Sequence, residues 1–192
     1  MSEIKKYEVL LETVRQNFAS VVWTHKIQEK QADIYAERYS LLETINIILA
    51  ALTSCGIISL FSNEDCIGLK IITAILSFGT LSITAYFKSF DLKTLEKQHK
   101  DAANQFIVIR NELLQIISDV HMKIKPVEEI YTEYQTIMTH LNELYVSAPS
   151  TSDKAVDRAS SALNVKREYT YSDEEIDKFL PPALKGKMRE EN

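Results

Sequence analysis

The sequence predicts an all-α membrane protein in which a two-transmembrane helical hairpin continues into long, antiparallel, coiled-coil-like cytoplasmic helices. Residues 44–63 form a run of twenty without Asp, Glu, Lys, Arg or His, and residues 71–87 form a second uncharged run. Only four Gly and four Pro occur among 192 residues, which favours long uninterrupted helices over many turns. Outside the two runs, apolar residues recur at helical spacing between frequent charges.

Both runs are suited to lipid, and we assign the spans to residues 44–61 and 71–87. A helix needs about 20 apolar residues to cross a bilayer and about 17 at the lower limit, which Lys70 and Lys88 can extend by reaching the headgroups. The first span holds nine Ile, Leu or Phe residues, which together favour insertion by about 3–5 kcal/mol. The alternative, a hairpin buried in a soluble bundle, normally keeps a polar stripe that neither run has.

Basic residues predict the orientation of the hairpin. The segment before the first span carries Lys26, Lys30 and Arg38, and the segment after the second carries Lys88, Lys93, Lys97 and Lys100. The connection from Ser62 to Lys70 holds one Lys and the acidic pair Glu64-Asp65. The positive-inside rule therefore predicts a multi-pass membrane protein with both termini in the cytoplasm.

Three cytoplasmic helices are expected, over residues 3–43, 88–124 and 126–146. Their apolar residues alternate in steps of three and four, which is typical of coiled-coil or bundle packing. Pro126 suits the first turn of a new helix, so the last two should fold back on each other. Polar residues His25, Gln28 and His99 interrupt the pattern, either as register markers or as a pH-sensitive contact.

The composition changes at Ser147. We expect residues 1–146 to form the main domain, 147–171 a polar linker with too little apolar content for a core, and 172–192 a tail with one short helix. Ser172 and Glu175 have the spacing of a capping box at the start of that helix. The helix would present Ile176, Phe179 and Leu180, either to the cytoplasmic helices or as a docking peptide for a partner protein.

No motif predicts an enzyme. The chain lacks a glycine-rich phosphate loop, a nucleophile elbow and metal-ligand spacing, so we expect no catalytic residues, metal or cofactor. A net charge of −5 without a basic cluster argues against direct nucleic-acid binding. The two cysteines cannot form a disulfide framework, and Cys55, in the first span, is expected to be a buried free thiol.

The spans carry polar and small residues at helical spacing, and these are the candidate functional positions. They are Thr73, Ser77, Thr80 and Thr84 in the second span, with Asn46, Ala50 and Thr53 as a weaker counterpart in the first. Such residues often mark helix–helix contacts, because they allow close approach. The alternative is a pore lining, which would need several copies, since two helices cannot enclose an aqueous path.

The chain resembles the SLATT family of bacterial two-transmembrane effectors associated with nucleotide-synthesising and nucleotide-sensing conflict systems. The resemblance lies in the N-terminal helix with Trp23-Thr-His-Lys-Ile-Gln-Glu-Lys30, the two close spans and the long helix near Lys88, and covers roughly residues 5–150. The Ser172–Leu180 element suggests a subfamily with a C-terminal extension. The resemblance implies an effector of a nucleotide-sensing or reverse-transcriptase-linked antiphage system that responds to a cytoplasmic sensor or nucleotide-producing protein. Such an effector would form a homo-oligomer, breach the inner membrane and arrest growth.

In a second hypothesis, the spans anchor the chain in the membrane but have no activity there. In it, the chain is a non-enzymatic adaptor that tethers a cytoplasmic partner to the bilayer through its tail and its long helices. The two hypotheses differ in whether the spans tolerate replacement by an unrelated hairpin.

Overall fold

The computed structural model describes residues 3–62 and 67–181, and all regular structure within them is helical, so the all-α prediction is confirmed. Six α-helices and one π-helical turn follow one another along the chain. They are α1 (Glu3–Ser62), α2 (Ile67–Ser89), α3 (Leu92–Met122), α4 (Val127–Ser147), α5 (Asp153–Ser160), the π-helical turn Ser161–Val165 and α6 (Asp173–Phe179).

Helix α1 joins the helices outside the membrane to the first span without interruption. Its 60 residues give it a length of about 90 Å. It contacts α2 over the first span and α3, α4 and α5 over the part that precedes the span. Because the sequence has no Gly or Pro before Gly56, nothing in α1 favours a break between that part and the span.

The hairpin of α1 and α2 exposes apolar side chains that a water-soluble bundle would bury. Each helix contains an apolar stretch of 18 residues, of which 0% is buried in α1 and 6% in the stretch that includes α2. Exposed residues on the two spans include Ile47, Ile58, Ile75 and Phe78. A continuous apolar surface of this kind matches a lipid environment, so the chain is a membrane protein with two spans.

Two breaks separate the helices that follow the hairpin, one between α2 and α3 and one between α3 and α4. Asp91 accepts hydrogen bonds from the backbone N–H (3.0 Å) and the hydroxyl (2.6 Å) of Thr94, which starts α3 just after the second span. At the far end, Lys123 adopts a left-handed conformation (φ 50°) that ends α3, and Pro126 precedes the first residue of α4. Helices α3 and α4 therefore form the expected antiparallel pair.

The core that α1, α3 and α4 form outside the spans contains most of the apolar residues that recur in steps of three and four. Its buried members are Leu10, Val14, Val21, Phe106, Ile109, Leu113, Ile116, Val120, Val127, Ile130, Tyr134, Leu141 and Leu144. Ile4, which the same spacing includes, is 64% exposed, and Leu10 is buried while its neighbour Leu11 only packs at the edge of the core. The apolar pattern thus predicts the packed faces, with a shift at the start of α1.

The segment that we expected to be a polar linker is partly helical and packs on α1. Helix α5 and the π-helical turn lie within residues 147–171, and Ala155, Ala159 and Ala162 are buried there. Alanine carries little hydrophobicity, but it allows two helices to approach closely, so a packed face can have a linker-like composition. This difference brings the C-terminal part of the chain to the middle of α1.

Candidate functional site

The first candidate site is the hairpin seam, the contact face between α1 and α2 that contains Asn46, Thr53, Gly56 and Thr73. At Gly56 the helices touch so closely that a Cβ would overlap the Thr73 hydroxyl and lie 3.2 Å from Thr73 Cγ2. Thr73 is the one buried residue among those described on α2 and is 7% exposed. Glycine is therefore needed at position 56 for the observed approach.

Three polar atoms in this seam are buried and have no hydrogen-bond partner among the residues that the structure describes: Asn46 Oδ1, Thr53 Oγ1 and Thr73 Oγ1. Positions 46, 53 and 56 are separated by seven and three residues, so they share one face of α1. Water is absent from the hydrocarbon region of a bilayer, and a buried polar atom without a partner is destabilising there. The seam is thus polar at its centre although its helices are otherwise apolar.

The candidate span residues divide between the seam and the outer surface. Asn46 and Thr53 are half-buried and Thr73 is buried, whereas Ala50, Ser77 and Thr84 are exposed. Thr80 is half-buried, and its hydroxyl donates to the Leu76 carbonyl at 3.1 Å. The predicted face of α2 is therefore not uniform. Cys55, expected to be buried, is exposed on the hairpin surface, because it lies on the face of α1 away from α2.

The second candidate site is a buried polar cluster outside the spans, centred on Lys26. This residue is only 1% exposed, and its ammonium donates to Glu29 (2.8 Å) and to Glu168 (2.7 Å). The Lys26 ammonium also lies 4.1 Å from the centroid of the Tyr169 ring, a cation–π distance. A buried charge is stable only when it is paired, so Lys26 holds the C-terminal loop (residues 166–171) against α1.

Tyr169 links this cluster to its neighbours. Its hydroxyl donates to Glu29 at 2.8 Å and lies 3.4 Å from His25 Nδ1, and the guanidinium of Arg110 is 5.1 Å from its ring centroid. The backbone has positive φ at Arg167 (52°) and at Tyr169 (71°). Residues other than glycine adopt a positive φ only at a cost in free energy. The contacts of Glu168 and Tyr169 therefore stabilise a strained loop.

Further polar contacts line the same stretch of α1. His99 Nδ1 lies 2.6 Å from Gln28 Oε1, and the Gln28 amide donates to the Pro149 carbonyl at 3.0 Å. Gln31 accepts from the backbone N–H (2.9 Å) and the hydroxyl (2.7 Å) of Ser152. His25 and His99 thus have different partners, Tyr169 for His25 and Gln28 for His99.

Burial and pairing shift the protonation of this cluster. Burial lowers the pKa of His25 to about 4, although Glu29 opposes the shift, and burial also lowers the pKa of His99. For Lys26, burial alone would lower the pKa, but hydrogen bonds with Glu168 and Glu29 outweigh it and raise the pKa above its ordinary value. At neutral pH the cluster therefore contains a charged lysine beside neutral histidines.

The short helix α6 has the predicted start. Ser172 accepts from the Glu175 backbone N–H (3.3 Å), and Glu175 accepts in return from the Ser172 backbone N–H (2.8 Å), which completes the capping box. Ile176 is 44% and Phe179 83% exposed, and Leu180 is half-buried just after the helix. These candidate docking residues therefore lie on a surface rather than in the cytoplasmic core, while residues 182–192 of the expected tail lie outside the described part.

Several residues of both sites were missing from the sequence-based candidates. Gly56 follows Thr53 by three residues in an apolar helix, a spacing that could have suggested a contact face. Lys26, Gln31, Glu168 and Tyr169 gave a weaker signal, since charged and amide side chains usually face solvent. In the part of the chain that the structure describes, no group of His, Cys, Asp and Glu side chains is arranged to hold a metal ion.

Fold and sites together define a helical membrane protein with two spans, whose helical bundle outside the spans holds its own C-terminal segment through buried polar contacts. The chain belongs to the SMODS and SLOG-associating 2TM effector domain family 4, the SLATT group suggested by its sequence, and the family model matches residues 10–175. That match extends beyond residue 150 and includes α5 and the C-terminal loop. No curated protein and no solved structure matches the chain.

Proposed function

We propose that the chain is the membrane effector of a bacterial antiphage system and that several copies assemble into a pore that depolarises the inner membrane. The family name describes a two-transmembrane effector domain associated with SMODS and SLOG proteins. The observation that carries the proposal is the hairpin: its outer surface is apolar, its spans are uncharged, and its seam contains buried polar atoms. Polar groups in a span commonly mark a transport path or a helix contact.

The proposed activity requires assembly. Two helices cannot enclose water, so the path must form between copies of the hairpin, and the long cytoplasmic helices offer surface for their association. We propose that both termini lie in the cytoplasm, where a sensor or nucleotide-producing partner would trigger assembly. In this proposal the chain is not an enzyme and binds no cofactor, because the action is mechanical opening of the bilayer.

Membrane potential during induced expression of the full chain tests the proposal. A voltage-sensitive dye should report depolarisation within minutes, since high expression favours assembly by mass action. The control is the same chain with residues 44–87 replaced by an unrelated two-span hairpin, expressed and inserted equally. The pore is supported if the natural chain depolarises the cells and the chain with the replaced hairpin does not. It is contradicted if the natural chain arrests growth while the membrane potential stays unchanged.

The adaptor hypothesis is favoured by one specific observation, the exposure of Ile176 and Phe179 on α6. If tethering is the function, the replaced hairpin should remain active, whereas Phe179→Ser should abolish activity. Val146→Ser is the matched control, because Val146 is an apolar residue of α4 that is 89% exposed. Equal effects of Phe179→Ser and Val146→Ser would refute a docking role for α6.

A further inference from the structure

Hydroxyl groups of the hairpin fall into two chemical classes. On the outer surface, Ser54, Ser59, Ser82 and Thr84 each donate to a backbone carbonyl four residues earlier, at 2.9 Å. Such hydroxyls are satisfied within their own helix and can face lipid without loss. In the seam, by contrast, the Thr53 and Thr73 hydroxyls and the Asn46 carbonyl oxygen have no partner.

The closed seam cannot supply the missing partners. At Gly56 the α1 backbone lies so close to the Thr73 side chain that a Cβ would overlap its hydroxyl, and at Gly79 a Cβ would lie 3.2 Å from Leu49 Cδ1. The seam is therefore tightly packed at two levels of the hairpin. Water, which could hydrogen-bond to all three polar atoms, would enter only if the helices separated.

We infer that the hairpin seam opens when the effector assembles, and that Asn46, Thr53 and Thr73 then line its aqueous path while Ser77 and Thr84 stay outside it. This inference rests on the proposed pore function and names its lining. Separation would let water reach the three seam atoms, whereas the Thr84 hydroxyl already donates to the Thr80 carbonyl and Ser77 lies on the outer, lipid-facing surface, which separation of the seam does not expose to water. The closed hairpin is in this view the resting state.

The residues that line the path also predict which ions pass through it. Neither span contains Asp, Glu, Lys or Arg, so the path would be polar but uncharged along residues 44–61 and 71–87. Selective channels place rings of charged side chains or ordered carbonyls in the path. A lining of amide and hydroxyl groups should therefore conduct small hydrated cations and anions with little preference for either charge.

Single cysteines test which residues face water. In a full-length Cys55→Ser, Cys66→Ser background that still depolarises cells, Thr53→Cys and Thr73→Cys probe the seam, and Ser77→Cys and Thr84→Cys are the matched outer hydroxyls. The probe is a charged, membrane-impermeant methanethiosulfonate, which reacts with water-exposed thiolate. Labelling of the two seam cysteines should rise by about tenfold or more on depolarisation, with no such rise at the outer positions.

The outcomes separate the inference from the proposed function. If the natural chain depolarises cells but the seam cysteines label no faster than Ser77→Cys, the path runs elsewhere, and the inference is wrong while the pore stands. If the natural chain does not depolarise cells, the pore itself is refuted and the inference falls with it.

A glycine substitution gives an independent arm. Gly56→Ala places a methyl group against Thr73 and should open the seam, so depolarisation should start earlier at equal expression. Gly68→Ala is the control, because a Cβ there meets nothing within 4 Å. An unchanged or delayed onset for inserted Gly56→Ala would contradict the opening of the seam.

Discussion

Replacing Glu168 with Gln removes one of the two carboxylates that neutralise buried Lys26. The Lys26 side chain is 2% exposed and those of Glu168 and Glu29 are 34% and 37% exposed. Breaking a fully buried ion pair costs about 3–5 kcal/mol. Because Glu168 is one-third exposed and Glu29 remains, we discount this to about 1–2 kcal/mol. Glu168→Gln should thus raise the open population of the C-terminal loop roughly tenfold.

Hydrogen exchange of the full chain in detergent or nanodiscs measures this opening. Backbone amides of residues 166–171 should exchange roughly tenfold faster in Glu168→Gln, because the Lys26 contact also stabilises positive φ at Arg167 and Tyr169. Trypsin gives a second readout, since Lys166 and Arg167 are exposed and become cleavable when the loop opens.

Glu128→Gln is the matched control for Glu168→Gln. Glu128 also pairs with a distant lysine, Lys6, but the two side chains are 67% and 43% exposed. Exposed ion pairs contribute little to stability, so this variant should leave exchange of the C-terminal loop unchanged. Equal exchange in the two variants, or natural protection in Glu168→Gln, would refute the role assigned to the buried pair.

The remaining predictions concern the cytoplasmic bundle. Because burial holds the pKa of His25 at about 4 in the fold against about 6.5 when unfolded, the unfolded chain binds more protons between these values. Thermal stability should therefore fall as pH drops from about 6.5 towards 4, by up to about 3 kcal/mol, and less in His25→Gln. Leu113→Ala should cost about 2–5 kcal/mol in denaturant melts, because Leu113 is fully buried. Leu114→Ala, at a position 49% exposed, should cost far less, and similar losses would contradict the core assignment.

Periodicity predicts the packed faces of this fold well, since each long helix has one dominant neighbour. Phe106, Leu113 and Ile130 are all fully buried, and each lies on the apolar stripe of its helix. The length of each uncharged run likewise identifies the spans, because insertion into lipid depends on apolar composition rather than on contact with a specific partner. Both features are local properties of a helix, and sequence carries them directly.

Contacts between distant segments are harder to predict. Lys26 is separated from Glu168 by 142 positions, and a lone lysine in an amphipathic helix gives no sign that it will be buried. Neither Arg167 nor Tyr169 is a residue type that favours positive φ, so the strained loop has no local signal. The contact of Gly56 with Thr73 depends on the vertical register of two spans, which the periodicity of each span does not determine.

The continuity of α1 connects the two sites mechanically. One face of the helix carries residues spaced by four and seven positions: Gln28, Tyr35, Tyr39, Asn46 and Thr53. Gln28 and Tyr35 contact His99 of α3, and Tyr39 contacts Phe87 of α2. Since no Pro or Gly lies between Lys26 and Gly56, this part of α1 should turn nearly as one body. If the seam opens as inferred, a rotation of α1 about its axis that turned Thr53 and Gly56 away from α2 would also move Lys26 away from Glu168. The contact of the C-terminal loop with Lys26 would then oppose this rotation, although about 45 Å of helix separates Lys26 from Gly56.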